Sequence, residues 1–135
     1  MPVVCLRYFN VYGERQSARG AYATAIGIFI DQKKRGKPLT IVGNGNQKRD
    51  FTYVKDVARA NILAMKSKGA VGHLINIGSG KNYTVNEVAK MIDPKHVYIP
   101  PRPGEAKATL ANIAKAKKLL SWSPKMSLEK WIKGI

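Results

Sequence analysis

The sequence predicts a mixed α/β fold, and three observations predict it. Short β-branched and aromatic runs alternate with helical stretches along the chain. Val3-Val4-Cys5-Leu6 is continuously apolar, the pattern of a strand in a parallel sheet covered on both faces. Polar or glycine-bearing loops leave the strand-like runs at Asn10 to Gly20 and at Gly78-Ser79-Gly80, and ligands of open α/β sheets gather at such strand ends. The 135 residues suffice for one domain with one core, and no repeat, low-complexity tract or long linker divides them.

Pro2 to Phe9 reads as the first strand, with Cys5 inside it as a buried small hydrophobe. Ala21 to Lys34 reads as a helix with Ala25, Ile26, Phe29 and Ile30 on its apolar stripe. Gly27 weakens that helix by roughly 1 kcal/mol relative to alanine. Lys33, Lys34 and Arg35 suit its negative C-terminal end, and Gly36 suits a left-handed cap. Leu39 to Ala58 then reads as a strand, a tight turn at Asn44-Gly45, the pair Lys48-Arg49, a second strand and a helix start. Two readings of this stretch stand on spacing alone. It is an ordinary hairpin with solvated charges, or it aims an arginine fork at a phosphate or diphosphate.

Lys55 to Ser67 reads as a helix with Val57, Ala58, Ile62 and Met65 facing inward. Leu74 to Ile77 is a short buried strand. Thr84-Val85-Asn86-Glu87 is a capping box that opens a helix to Ile92, and Val97 to Ile99 is a short strand. Pro100 to Glu105 forms a stiff loop presenting Arg102. Asn112 caps a helix through Leu120, and after Pro124, Ser127 caps a last helix carrying Leu128, Trp131 and Ile132.

Charge and cysteine usage narrow the function classes. Lys and Arg number 24 against 8 Asp and Glu, a net charge of +16, which favours anionic partners: nucleic acid, an anionic membrane surface or a phosphorylated small molecule. One cysteine allows no intrachain disulfide and fits a reducing compartment. Two histidines and one cysteine give no metal-site spacing. No apolar run approaches the ~20 residues of a membrane span, and the N-terminus lacks a signal peptide's basic and apolar regions, so the expected location is cytoplasmic.

Four motifs occur in order: Leu6-Arg7-Tyr8-Phe9-Asn10-Val11-Tyr12-Gly13, the segment Arg49 to Ala58, Asn76-Ile77-Gly78-Ser79-Gly80, and Arg102-Pro103-Gly104-Glu105. Together they resemble the C-terminal half of the extended short-chain dehydrogenase/reductases, and more narrowly the NAD-dependent nucleotide-sugar epimerases and dehydratases of the UDP-glucose 4-epimerase kind. The resemblance implies the C-terminal part of an extended Rossmann-type fold. Strands of an incomplete parallel sheet would join a small mixed α/β substrate-binding region, with residues 1–135 as one unit and the dinucleotide-binding half absent. No glycine-rich fingerprint joins a strand to a helix, and none of the six tyrosines has a lysine four residues on, so no catalytic residue is expected in this chain.

By the same resemblance, Tyr8 and Phe9 lie beside the nicotinamide of NAD, a cofactor expected in the intact enzyme and not held tightly by this chain alone. Asn10 matches a diphosphate-binding asparagine, or else satisfies strand-end backbone. Thr24 and Ala25 match the helix start that touches substrate. Thr40 is expected among the substrate-binding residues, and many relatives carry at the position of Val42 an aromatic that packs on the base, so a uracil assignment loses stacking surface. Arg49 and Arg102 match two arginines that grip the diphosphate, with Arg102 alternatively a solvated loop residue. Asp56 is expected to be a helix N-terminal residue and Glu105 a loop hydrogen-bonder.

The implied function is to hold the diphosphate of a nucleotide sugar, the fragment alone having no turnover. The alternatives are a free-standing basic nucleic-acid-binding module, argued against by its scattered lysines, and a remnant that binds nothing. The apolar first strand predicts self-association, or pairing with a complementing N-terminal half.

Overall fold

The computed structural model describes residues 1–135. The chain runs β1 (Cys5–Tyr8), β2 (Val11–Tyr12), α1 (Ala25–Lys34), β3 (Leu39–Val42), β4 (Lys48–Asp50), β5 (Thr52–Tyr53) and α2 (Val54–Lys66). A 3-10 turn (Lys68–Ala70) follows, then β6 (Leu74–Ile77), β7 (Asn82–Thr84), α3 (Val85–Ile92), β8 (His96–Ile99), α4 (Ala114–Leu120) and α5 (Leu128–Lys133). β1 pairs β6, β2 pairs β5 and β3 pairs β8, all parallel; β4 pairs β7 antiparallel. The fold is therefore mixed α/β with parallel strands, as expected. No helix is long and apolar enough to cross a membrane.

Two cores result. The larger gathers Tyr12, Ile26, Phe29, Leu39, Ile41, Val88, Ile92 and Trp131 between α1, β3, α3 and α5. The smaller gathers Val57, Ala60, Ile75, Ile77, Leu120 and Trp122 between α2, β6 and α4. We call these the site lobe and the sheet lobe.

Several expectations change. Val3 to Leu6 is not covered on both faces: Val3 and Cys5 are exposed and Val4 and Leu6 half-buried. The reason is pairing. β1 meets only β6, and α2 and α4 cover a single face of that two-stranded sheet, the one holding Ile75 and Ile77. The first helix starts four residues later than expected, with Thr24 as its cap. On α2 the inward face is Val57, Ala60 and Ala64; Ala58 is exposed, Ile62 is 52% exposed and Met65 86%. Small alanines let α2 lie close to the sheet, so the larger apolar residues fall outside.

The hairpin reading also fails. β3 and β4 do not pair with each other, and the turn between them sends them into different sheets. Gly43 and Gly45 take the left-handed backbone (φ +64° and +72°), whereas Asn44 does not; its Oδ1 accepts from the Asn46 N–H at 3.0 Å. Three of the remaining four caps hold. Gly36 sits at φ +67°, Ser127 accepts from the Lys130 N–H, and the capping box is closed by Thr84 and Glu87 in both directions. Asn112 does not occupy the cap position of α4, but its Oδ1 accepts from the Ala114 N–H at 3.1 Å.

Candidate functional site

Five segments converge on a cavity of about 180 Å³. The end of β1 brings Asn10, the start of α1 brings Thr24 and Ala25, β3 brings Thr40 and Val42, β4 brings Arg49, and the loop after β8 brings Arg102. All seven substrate-side residues named from the sequence thus line one cavity, although Asn10 and Arg102 lie far apart in the chain. Tyr8 and Phe9 do not line it. Tyr8 is 46% exposed and its hydroxyl donates to Asn61 Oδ1 at 2.9 Å. Phe9 is held by its backbone, its N–H donating to Ile77 O and its carbonyl accepting from Thr52 Oγ1 at 2.6 Å.

Local bonds fix the rim. Asn10 stands at φ +30° and its amide donates to Asp50 O at 3.0 Å, tying the end of β1 to β4. Thr24 Oγ1 accepts from the Gly27 N–H at 3.3 Å and donates to Gln16 Oε1 at 3.2 Å, so its hydroxyl is already engaged where the helix start borders the cavity. Thr40 is braced twice by Gln32, through Nε2 to its hydroxyl at 2.8 Å and through its own N–H to Oε1 at 3.0 Å. Gln47 donates to Val42 O at 3.0 Å and so sets the turn between β3 and β4.

Arg49 is the best-supported of the charged groups. Its side chain is only 16% exposed; Nη1 donates to Lys48 O at 2.8 Å and Nη2 to Glu105 Oε1 at 3.1 Å. Beneath it, Asp50 is fully buried without a counter-cation. Its Oδ1 accepts from the Ser79 N–H and hydroxyl, both at 2.7 Å, and its Oδ2 from the Gly80 N–H at 3.0 Å and the Ala111 N–H at 3.1 Å. Four donors satisfy the buried carboxylate and tie two loops, at Ser79-Gly80 and at Ala111, to β4. Gly78 makes this possible: a side chain there would run into Ala111 Cβ and sit 3.1 Å from Asp50 Oδ2. On the other edge of β4, the Lys48 N–H donates to Lys107 O and Lys48 O accepts from the Thr109 N–H, which anchors the end of the Arg102 loop. Arg102 itself is exposed and makes no hydrogen bond or ion pair.

The small cavity opens onto a polar groove of about 640 Å³ that shares Val42, Gln47, Arg102 and Glu105 with it and adds Asn44, Asn46 and Lys107. Together they reach the few hundred Å³ that ligand pockets usually offer. A larger cleft of about 730 Å³ lies between the 13–18 loop, α1 and α5, and neither arginine lines it, so size does not single out the site. Strong ionisation shifts also fall elsewhere. A hydrogen bond from Lys81, above all, holds the Glu129 carboxyl down at about 2, while the Lys81 ammonium is raised chiefly by the same bond. Tyr83 donates to the same carboxylate at 2.8 Å, so the trio pins α5 to β7.

Sequence reasoning missed three residues here: Asp50, Gln47 and Glu105 as the partner of Arg49. A polar turn of small residues ending a buried strand, Gly78-Ser79-Gly80, was the available signal for a buried acceptor nearby. Asp56 does stand in the first turn of α2, but it is buried and does more. It pairs with Arg59 at 2.7 Å and accepts from the Lys125 and Met126 N–H groups, holding the segment before α5.

Comparison with known proteins identifies the class. The model of the NAD dependent epimerase/dehydratase family matches residues 1–78, more than half of the chain. The chain belongs to that family. It is 36% identical to the UDP-glucuronate 4-epimerase of Thermodesulfobacterium geofontis, a match covering 98% of this chain and 42% of that protein. Among solved structures it is similar to UDP-glucose 4-epimerase with UDP-glucose from Thermotoga maritima, with a TM-score of 0.87, 42% identity and coverage of 95% of this chain and 42% of that one. It is also similar to UDP-glucuronic acid 4-epimerase from Bacillus cereus in complex with UDP-glucuronic acid and NAD, with a TM-score of 0.86, 37% identity and coverage of 98% and 43%. The chain spans about two fifths of the length of the curated relatives it matches.

One expectation is corrected by these matches. The motifs led to an assignment to the C-terminal half of the family. The family model aligns with the first 78 residues of this chain, and the part-length matches to relatives do not fix a half. Motif order establishes membership; it does not number a position along a longer chain, and the C-terminal assignment does not stand.

The cofactor that the family implies finds little to hold it among these residues. A dinucleotide pyrophosphate is bound where a glycine turn joins a strand to a helix. Here the Gly43–Gly45 turn joins β3 to β4 and the Gly78–Gly80 turn joins β6 to β7. Tyr8 and Phe9 offer one strand end and no such cradle.

Proposed function

We propose that this chain holds the diphosphate of a nucleotide sugar in the cavity between Asn10, Arg49 and Arg102. The observation that carries the reading is the meeting of two arginines, one from strand β4 and one from the loop after β8, at one cavity beside a strand-end asparagine. Two guanidinium forks converging on one pyrophosphate supply orientation as well as charge. Thr24 and Ala25 would border the sugar side, and Thr40 and Val42 the base side. The UDP-sugars in the similar solved structures support this substrate class.

In this reading residues 1–135 form one substrate-binding unit of a cytoplasmic NAD-dependent nucleotide-sugar 4-epimerase or dehydratase. The chain's part is to keep the substrate still while the sugar meets the nicotinamide, a proximity effect. Tyr8 and Phe9 would border the cofactor, and the catalytic base would come from outside the residues described. The apolar surface around β1 supports association with further polypeptide, either a second copy or a complementing portion of the enzyme.

Isothermal titration of the chain with UDP and UDP-glucose tests the reading. Binding that falls by about ten-fold or more in both Arg49→Ala and Arg102→Ala is the expected result. A well-folded chain that binds neither ligand would overturn it. Binding of duplex DNA with a steep salt dependence, and no response to UDP, would favour the nucleic-acid alternative.

A further inference from the structure

The turn that walls the polar groove is not held by the strands it joins. β3 and β4 do not pair, so no hairpin ladder fixes the residues between them. Beyond Gly43, whose N–H still donates to Ile99 O, the start of α3 holds the turn instead. The Val85 N–H donates to Gln47 O at 3.1 Å and the Asn86 N–H to Gly45 O at 3.0 Å. The Asn86 side-chain amide donates to Asn44 O at 2.9 Å and to Asn46 Oδ1 at 3.2 Å. Asn86 Oδ1 in turn accepts from the Tyr98 hydroxyl on β8 at 3.2 Å. Gly45 leaves room for this arrangement, because a side chain there would run into the Asn86 amide. Asn86 itself lines neither the cavity nor the groove. The residues it holds do: Asn44 and Asn46 line the groove, while Val42 and Gln47, at the two ends of the turn, line both.

We propose that Asn86 is a positioning residue for the nucleotide end of the substrate, acting through the Asn44–Asn46 turn. The inference rests on the diphosphate reading above, which puts the base beside Thr40 and Val42. Arg49 is seated by other groups, Lys48 O and Glu105. Loss of the Asn86 amide therefore unpins the base-side wall and leaves the Arg49 contact in place. A wall that is free to move must be ordered when the base binds, and that ordering weakens the binding of a whole nucleotide. A bare diphosphate does not reach the wall and is not affected.

The test is calorimetric titration of the full chain with UDP and with inorganic pyrophosphate, in the native sequence and in Asn86→Ala and Tyr98→Phe, with melting temperature as the folding control. Asn86→Ala is expected to weaken UDP about five-fold and to leave pyrophosphate unchanged. Tyr98 is 55% exposed, so Tyr98→Phe keeps the fold and decides the matter even where Asn86→Ala does not fold. It is expected to weaken UDP by about two-fold, again with pyrophosphate unchanged. UDP and pyrophosphate falling together, or UDP unmoved in both variants, would overturn the positioning role and leave the diphosphate reading standing. A native chain that binds neither ligand would overturn both.

Discussion

β1 and β3 are both four-residue strands in parallel pairs, and they end in opposite environments. In the site lobe, Leu39 and Ile41 of β3 are 0% and 1% exposed, with α1 and α3 packed over them. In the sheet lobe, three of the four β1 residues are exposed. Cross-strand partners in a parallel pair share a face, so Cys5 and Leu74 stand together on the face opposite α2 and α4. The pairing is the same; the layers are not. Parallel strands are most stable where their faces are covered; the helices close the Leu39 and Ile41 face of β3, whereas β1 keeps a bare face.

That contrast makes graded expectations. The largest effect belongs to Asp50, which joins the lobes. Asp50→Ala would strand four donors beneath β4 and is expected to cost about 3 kcal/mol or more in urea denaturation. A cost near zero would mean that the loops hold themselves. Next comes Leu39→Ala in β3, expected to cost roughly 2–5 kcal/mol as a large-to-small change in a closed core. Thr84→Ala should cost about 1 kcal/mol by opening the capping box of α3, again read from denaturant midpoints.

A smaller effect is the acid limb of the site lobe. The native Glu129 carboxyl titrates near 2, below its ordinary 4.5, so its stabilisation is present above about 4.5 and is lost as pH falls toward 2. Solvent screening keeps that contribution below about 1 kcal/mol, because its side chain is 36% exposed. Glu129→Gln should flatten the melting temperature across that window; an unchanged slope would remove Glu129 as the cause. Smallest is Leu74→Ala, expected to change stability by a few tenths of a kcal/mol, since Leu74 is 45% exposed. If it matched Leu39→Ala instead, the bare face would be covered in solution.

The residues of the candidate cavity were legible in the sequence. Arg49, Arg102 and Asn10 were singled out by type and motif, and the cavity brings them together. Caps at Thr84, Ser127 and Gly36 were legible because they rest on neighbours three or four residues away. The failures share a physical cause: they depend on partners distant in the chain. Whether Val3 to Leu6 is covered, which face of α2 turns inward, and whether β3 meets β4 are all decided by contacts that local periodicity does not encode. Asp50 was invisible for the same reason, its donors lying on loops that only the finished fold assembles.

The strand order carries one more consequence. No strand pairs with its neighbour in sequence: Cys5 faces Leu74, Leu39 faces His96, and the one antiparallel pair joins β4 to β7. Even the closest pair, β4 with β7, encloses the whole of α2 and β6. Each ladder must therefore close a long loop before its first hydrogen bond repays the lost chain entropy. The chain has no early hairpin from which to zip. Its rate of folding is governed by how soon α1 and α3, which form locally, bring distant strands within reach.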